Sequence, residues 1–311
     1  MSCIFFSGCK RYSYNLPYDV NTDISAYRCD SVDSSKVLKS FAKDLCVVDE
    51  NVNASSIDLS LAEAGCLFNK TTGETLYSKS ANLQLHPAST TKIMTALLAL
   101  KYGKLDDILT ASENVEIKEK GAQLCGFKKG DKATLEQVLN ALLIYSGNDA
   151  GVMIAEYVSG SEEAFAKLMN EEAKKLGATN TNFVNPHGLT DEAHLTTAYD
   201  LYLIFNEALK YEKFKEIINS STYKSAYSSK DGGKKNLDFE NTNRFINGKH
   251  NVPEGVSVIG GKTGTTEAAG ACLVLYSKNN NSNDEYVSVV MKSESPDSLY
   301  DNMFSILSLE N

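Results

Sequence analysis

Residues 93–100, IMTALLAL, constrain the fold of this chain more than any other stretch. On a helix over 89–102, Ile93, Met94, Ala96, Leu97, Leu98 and Leu100 leave almost no polar face. A helix that is apolar nearly all round is expected inside the molecule, not on its surface. Yet its first turn is polar: Ser89-Thr90-Thr91-Lys92. Residues three apart share a helix face, so Ser89 and Lys92 are expected side by side. Ser and Thr at a helix start are commonly caps. A serine beside a lysine is also a nucleophile beside a base.

The regions around this helix differ in character. AGCLFNKTTGETLYSKS (64–80) alternates on both sides of Thr71-Thr72-Gly73 and reads as a β-hairpin. Helical spacing recurs at 135–147, 150–158, 162–177 and 196–209, the last with Thr196 as its expected cap. A polar Tyr/Ser/Lys-rich stretch (219–240) has no assigned element. VSVIGGKTGTT (256–266), GACLVLYSKN (270–279) and EYVSVVMKS (285–293) read as three consecutive strands. A closing helix over 295–310 has Ser295 or Asp297 near its cap. Strands at both ends with helices between predict an α+β fold: an antiparallel sheet built from both chain ends, flanked by helices, with an all-helical subdomain inserted at about 106–210. The expected division is a leader or tether over 1–50 and a single folded domain over 51–311.

Charge and cysteine usage narrow the function. There are 31 Lys and Arg against 40 Asp and Glu, a net charge of −9. With no basic stripe or tail, that argues against a nucleic-acid partner, because phosphate neutralisation needs excess cations. The 7 cysteines are scattered, with no CxxC pair and no Cys/His cluster. Neither a zinc ribbon nor a disulfide framework is expected. No apolar run approaches a membrane span. Near the amino terminus, Ile4-Phe5-Phe6 followed by Ser7-Gly8-Cys9 matches the end of a bacterial lipoprotein signal, with Cys9 as the lipid-bearing residue. The basic region and most of the apolar core of such a signal are missing, so the export segment reads as truncated.

Two further short motifs carry chemistry. Ser146-Gly147-Asn148, between helical segments, exposes a hydroxyl and an amide, or is an ordinary helix–helix turn. Lys262-Thr263-Gly264-Thr265 lies on a predicted strand. It is not a phosphate loop, since Ser257 stands where that motif needs glycine. Gly264 within a strand suggests close approach by another chain, such as a peptide substrate, or an irregular turn. A lysine serves as a base only when burial or a neighbouring cation lowers its pKa. The apolar run after Lys92 supplies burial.

SxxK, SxN and KTG, in that order on helix, loop and strand, form a known signature of penicillin-binding proteins and class A β-lactamases. Over about residues 55–310 the chain resembles the serine-type D-alanyl-D-alanine carboxypeptidases, low-molecular-weight penicillin-binding proteins with a β-lactamase/transpeptidase-like fold. SGNDAGVMIAEYVSGS, FVNPHGLTDEAHLTTAYDL, ENTNRFI and IGGKTGTTEAAGACLVL are similar to stretches of that family.

The resemblance implies that Ser89 attacks the penultimate D-Ala carbonyl of a peptidoglycan stem peptide, and that Lys92 takes its proton. It implies that Ser146 relays a proton to the leaving amine, and that Asn148 binds the substrate amide and holds Lys92. Lys262, Thr263 and Thr265 would bind the terminal carboxylate, with Gly264 between them. The amides of Ser89 and Thr265 would form the oxyanion hole. Arg244, in NTNRF, would add a carboxylate contact, its alternative being a surface salt bridge. β-Lactams would be covalent inhibitors. No cofactor or metal is implied, and the site would work in the extracytoplasmic cell envelope, secreted or lipid-anchored.

Many members carry a further β-rich domain and an amphipathic membrane helix. Here the chain stops at Asn311, so that attachment is not expected. The histidines lack the HxxxH spacing of a zinc peptidase: His86 is expected to pack at the helix entrance, His187 and His194 to order a loop, and His250 to be solvated. Competing readings are a D,D-endopeptidase, a β-lactamase with Glu192 as loop carboxylate, and a sensor that acylates without turnover.

Overall fold

The structure, a computed structural model, describes residues 45–48, 51–53 and 55–311. Cys9 and most of the expected leader lie outside the described residues. Residues 45–48, expected in the tether, instead pack on the domain: Cys46 and Val48 are buried, and the Cys46 amide donates to the Tyr202 hydroxyl at 2.9 Å.

Strands β1 (Ala62–Asn69) and β2 (Glu74–Lys79) form the expected hairpin. β7 (Val256–Thr266), β8 (Gly270–Asn279) and β9 (Glu285–Ser293) follow from the far end of the chain. They join in one antiparallel sheet of order β2-β1-β9-β8-β7. The sheet is therefore built from both chain ends, and β7 is an edge. Its two faces are covered differently. Helix α7 (Pro296–Leu307) buries Leu299, Met303 and Ile306 against Leu67, Leu273 and Val290 on one face. Ser295 caps it, accepting from the Ser298 amide at 3.1 Å, with Pro296 in the first turn where its missing N–H costs nothing.

Helix α1 (Lys92–Tyr102) lies on the other side, with Ile93 to Ala99 all buried. It contacts α2 (Leu135–Asn140), α3 (Asn148–Ser159), α4 (Glu162–Lys175), α5 (Ala198–Ala208) and α6 (Glu212–Asn219). That surround explains the absence of a polar face. The α5 cap is Thr197, whose hydroxyl accepts from the Asp200 amide at 3.0 Å. Thr196, the expected cap, pairs its hydroxyl with that of Thr181 instead.

The inserted region is not all-helical. β3 (Ile108–Thr110) and β4 (Lys132–Thr134) lie within it. They join β5 (Thr222–Ser228) and β6 (Lys234–Glu240) in an antiparallel sheet of order β3-β4-β5-β6. Three-residue strands carry no readable period. The β5–β6 hairpin is the polar stretch 219–240, where only Tyr227, Leu237 and Phe239 are fully buried. Phe239 stacks on Tyr145 at 4.5 Å between ring centres, fixing the hairpin against the segment that precedes Ser146.

Leu97 is fully buried at the centre of this arrangement. Leu97→Ala is expected to lower unfolding free energy by about 2–5 kcal/mol through lost burial and the cavity left behind. Urea denaturation measures this; a loss under about 1 kcal/mol would show that α1 is not the packing centre.

Candidate active site

The Ser89 segment is a 3-10 turn, Ala88–Thr91, leading into α1. The Ser89 side chain does not cap the helix. Thr90 and Thr91 hydroxyls instead donate back to the Pro87 and Ala88 carbonyls at 2.7 and 2.8 Å. Ser89 Oγ lies 2.9 Å from Lys92 Nζ. Lys92 Nζ also donates to Asn148 Oδ1 at 2.6 Å and to the His187 carbonyl at 2.5 Å.

This lysine is 0% exposed. Burial, then the neighbouring Lys262, holds its pKa well below the ordinary lysine range. The neutral amine has two hydrogens and one lone pair. Asn148 and His187 offer only acceptors, so they take both hydrogens. The lone pair is left for the Ser89 hydroxyl proton. The three contacts thus specify the amine as acceptor from the serine, the polarity a general base requires.

Ser146 ends a π-helical turn, Ala141–Tyr145, with φ +70°. A non-glycine residue in the left-handed region costs energy and persists only where the surroundings enforce it. Beside Ser146, a Cβ on Gly147 would meet Cys125 Sγ at 2.2 Å and Asp149 Oδ1 at 2.9 Å, so the turn packs closely on the 125–127 segment. Asp149 then fastens the 125–127 segment, accepting from the amides of Cys125, Gly126 and Phe127 at 2.9, 2.8 and 3.1 Å. Asn148 is thereby fixed over Lys92.

Lys262, on β7, is 1% exposed. It donates to Ser146 Oγ at 2.9 Å and to the Thr263 carbonyl at 2.8 Å. Burial lowers its pKa to about 7. Gly264 has a different cause from the one its strand position suggests. A Cβ there would lie 2.8 Å from Ser89 N, 2.9 Å from Pro87 O and 2.9 Å from Thr90 N. The close approach is made by the protein's own Ser89 turn.

These motifs converge on one cleft of about 900 Å³, lined by Ser89, Ser146, Asn148, Thr263, Gly264 and Thr265, among others, with Lys92 and Lys262 buried beside it. Arg244 is not brought there. Its guanidinium pairs with Asp297 at 2.6 Å and lies over the Tyr300 ring, the salt-bridge alternative. His250 is not simply solvated but packs on Phe245 and Tyr300. His194 is buried, with its pKa lowered to about 3 by burial. Its Nδ1 accepts from the Val184 amide, so Nε2 carries the hydrogen toward Thr91 Oγ1 at 2.8 Å and steadies the nucleophile turn. Cys46, Cys66 and Cys272 are buried free thiols, whereas Cys125 is partly exposed. No cluster of His, Cys, Asp or Glu suited to a metal occurs among the described residues.

Three contributors were not identified from the sequence. The His187 carbonyl holds Lys92 from 95 positions away. Thr242 lines the cleft, its hydroxyl 2.6 Å from that of Thr263. Asp149 follows Asn148 directly, and its four amide partners include residues two dozen positions away. Only Asp149 carried a local signal, a carboxylate at the start of an apolar helix.

Comparison with known proteins agrees with this geometry. The peptidase S11 family, described as D-alanyl-D-alanine carboxypeptidase, matches residues 51–295. The chain is 41% identical over 227 residues to D-alanyl-D-alanine carboxypeptidase DacF of Bacillus subtilis, covering 71% of this chain and 55% of that protein. It is 34% identical to DacC of Escherichia coli, covering 75% and 57%. The chain thus spans little more than half the length of these two relatives. The crystal structure of the Streptomyces K15 DD-transpeptidase superposes with a TM-score of 0.74 at 27% identity, over 85% of this chain and 99% of that one. The chain belongs to the peptidase S11, D-alanyl-D-alanine carboxypeptidase, family.

Gly264→Ala places a methyl against three backbone atoms of the nucleophile turn. The expected result is a folded protein, by circular dichroism, whose acylation by a fluorescent penicillin is slowed at least about tenfold, since a misplacement near 1 Å can cost about 10²-fold. Acylation at the unmodified rate would show that β7 does not position Ser89.

Proposed function

We propose that this chain is a serine D,D-carboxypeptidase that removes the terminal D-Ala from peptidoglycan stem peptides through an acyl-enzyme, and that β-lactams acylate the same serine. The observation that carries this reading is the buried Lys92 amine, in contact with Ser89 Oγ, Asn148 Oδ1 and the His187 carbonyl; as a neutral amine with its hydrogens on the last two, it turns its lone pair to Ser89. Ser89 Oγ attacks the penultimate carbonyl carbon, and its proton passes to Lys92. The tetrahedral oxyanion lies between the amides of Ser89 and Thr265. The close approach of β7 to the nucleophile turn at Gly264 supports that placement. One such donor is typically worth roughly 10²–10³ in rate.

The C–N bond then breaks. Ser146, hydrogen-bonded to Lys262, passes its proton to the departing amine and is reprotonated at the expense of the proton Lys92 took from Ser89, so Lys92 is neutral again when the amine has left. Water then attacks the ester carbonyl and gives its proton to Lys92; the ester C–O bond breaks, Lys92 returns that proton to Ser89 Oγ, and the acid leaves. Protonated Lys262, with the Thr263 and Thr265 hydroxyls, attracts the substrate carboxylate. Glu192, the carboxylate a β-lactamase reading relies on, is exposed and is not among the cleft-lining residues. The substrate sets the place of action as the bacterial cell envelope, and lipidation of Cys9 is the route by which the chain would be held there. No helix among the described residues is long and apolar enough to cross a membrane.

Ser89→Ala is expected to abolish both D-Ala release from a pentapeptide mimic and covalent labelling by a fluorescent penicillin. Labelling that persists in this variant would refute the nucleophile assignment. The pH profile is a separate test. Acylation needs Lys92 neutral and Lys262 charged, so kcat/KM should rise as Lys92 loses its proton and fall through about 7 as Lys262 loses its own. A guanidinium does not deprotonate, so Lys262→Arg should move the alkaline limb upward by more than one pH unit. An unmoved limb would assign it to another group.

A further inference from the structure

Thr242 lines the cleft from the turn that follows β6, and none of the steps above uses it. Its hydroxyl oxygen lies 2.6 Å from that of Thr263. Its amide donates to the Ile144 carbonyl at 3.2 Å, in the turn that ends at Ser146. Two buried asparagines fold the segment around it. Asn241 Oδ1 accepts from the Asn243 amide at 2.9 Å, and Asn243 Oδ1 accepts from the Phe245 amide at 3.1 Å. Lys262 donates both to Ser146 Oγ and to the Thr263 carbonyl. The Ser146 turn and β7 are therefore joined twice, once through Lys262 and once through Thr242. A hydroxyl held by its own backbone in this way is placed before any substrate arrives.

The hydrogens decide what that hydroxyl can do. Two hydroxyls in contact carry two hydrogens, and only one of these can lie between the oxygens. Neither Thr242 Oγ1 nor Thr263 Oγ1 has another hydrogen-bond partner among the described residues. A carboxylate is an acceptor only. When one sits at Thr263, the Thr263 hydrogen goes to the carboxylate, and the contact between the threonines is kept with Thr242 as donor. Hydrogen bonds in such a chain polarise and strengthen one another.

Resting on the carboxypeptidase reading above, we propose that Thr242 is a positioning residue for the substrate's terminal carboxylate: its hydroxyl donates to Thr263 Oγ1 and so turns the Thr263 hydrogen toward that group. Thr242 acts through Thr263 and does not itself touch the reacting atoms.

The test is a double-variant cycle on kcat/KM for D-Ala release from Nα,Nε-diacetyl-Lys-D-Ala-D-Ala. Valine keeps the branched shape of Thr242 and lacks its hydroxyl. Thr242→Val is expected to lower kcat/KM about fivefold, the scale of one neutral hydrogen bond. Thr242→Ser restores the donor and should return kcat/KM to within about twofold of the unmodified protein. In a Thr263→Val background the acceptor has gone, so adding Thr242→Val should cost less than about 1.5-fold, where independent residues would repeat the full loss. Circular dichroism checks folding, and Thr242→Ala, which needs no extra space, takes the place of a valine variant that does not fold. No loss in Thr242→Val, an equal loss in Thr242→Ser, or the same loss with and without Thr263 each overturns the positioning role while the carboxypeptidase reading stands. Absence of D-Ala release from the unmodified protein overturns that reading and the positioning role with it.

Discussion

A buried, uncharged amine is the constraint on which the rest of this structure depends. Lys92 is taken wholly out of water and given two carbonyl acceptors and one hydroxyl. An ammonium there would lose its hydration with no carboxylate among the described residues in contact to offset it. Lys262 adds repulsion to desolvation. The amine is therefore kept as a base by its surroundings, and each of those surroundings comes from a different part of the chain. α1 supplies the lysine, the start of α3 supplies Asn148, and the loop before α5 supplies the His187 carbonyl. The two lysines also tax stability. Between about 7 and its ordinary value of 10.5, Lys262 is protonated in the unfolded chain but not in the folded one. Its contribution to stability therefore rises with pH across that window and is flat below it.

The fold serves this constraint through close backbone approach. β7, an edge strand, runs against the nucleophile turn at a distance only Gly264 permits. Gly188, with φ +87°, presses equally on the same turn: a Cβ there would sit 1.9 Å from the Ala88 carbonyl oxygen. Ala88 itself is held at φ +47° and Ser146 at φ +70°. Backbone strain is thus placed on both sides of the nucleophile, where packing of α1 and the sheet can enforce it.

Much of this was legible in the residues. The three strands at 256–293 alternate or run apolar with clear turns between them, and their observed bounds match the expected ones. That Ser89, Lys92, Ser146, Asn148 and Lys262 belong together was readable because the residue types that can serve as nucleophile, base and their partners are few and fall in short motifs, and the structure brings these five side chains to one cleft. The β5–β6 hairpin was not readable, since its outward residues are mostly polar or charged (Thr222, Lys224, Ser228, Lys234, Asn236, Asp238 and Glu240) and few of its side chains are buried. Nor was the His187 carbonyl, because a backbone acceptor has no residue-type signature. Arg244 misled for the converse reason: its side chain suits a carboxylate, and the nearest one is Asp297 on α7. Type and spacing identify which groups can react, whereas the partners that set their protonation come from distant segments.

The central claim is that Lys92 is a neutral amine at neutral pH in the folded protein. Lysine labelled with ¹³C at Cε and ¹⁵N at Nζ reports this directly through its chemical shifts across a pH titration. The account predicts a resonance that is deprotonated at pH 7, titrates well below every surface lysine, and disappears in Lys92→Gln. If the resonance lost in that variant titrates with the surface lysines near 10.5, the amine is an ammonium at neutral pH and cannot take the serine proton.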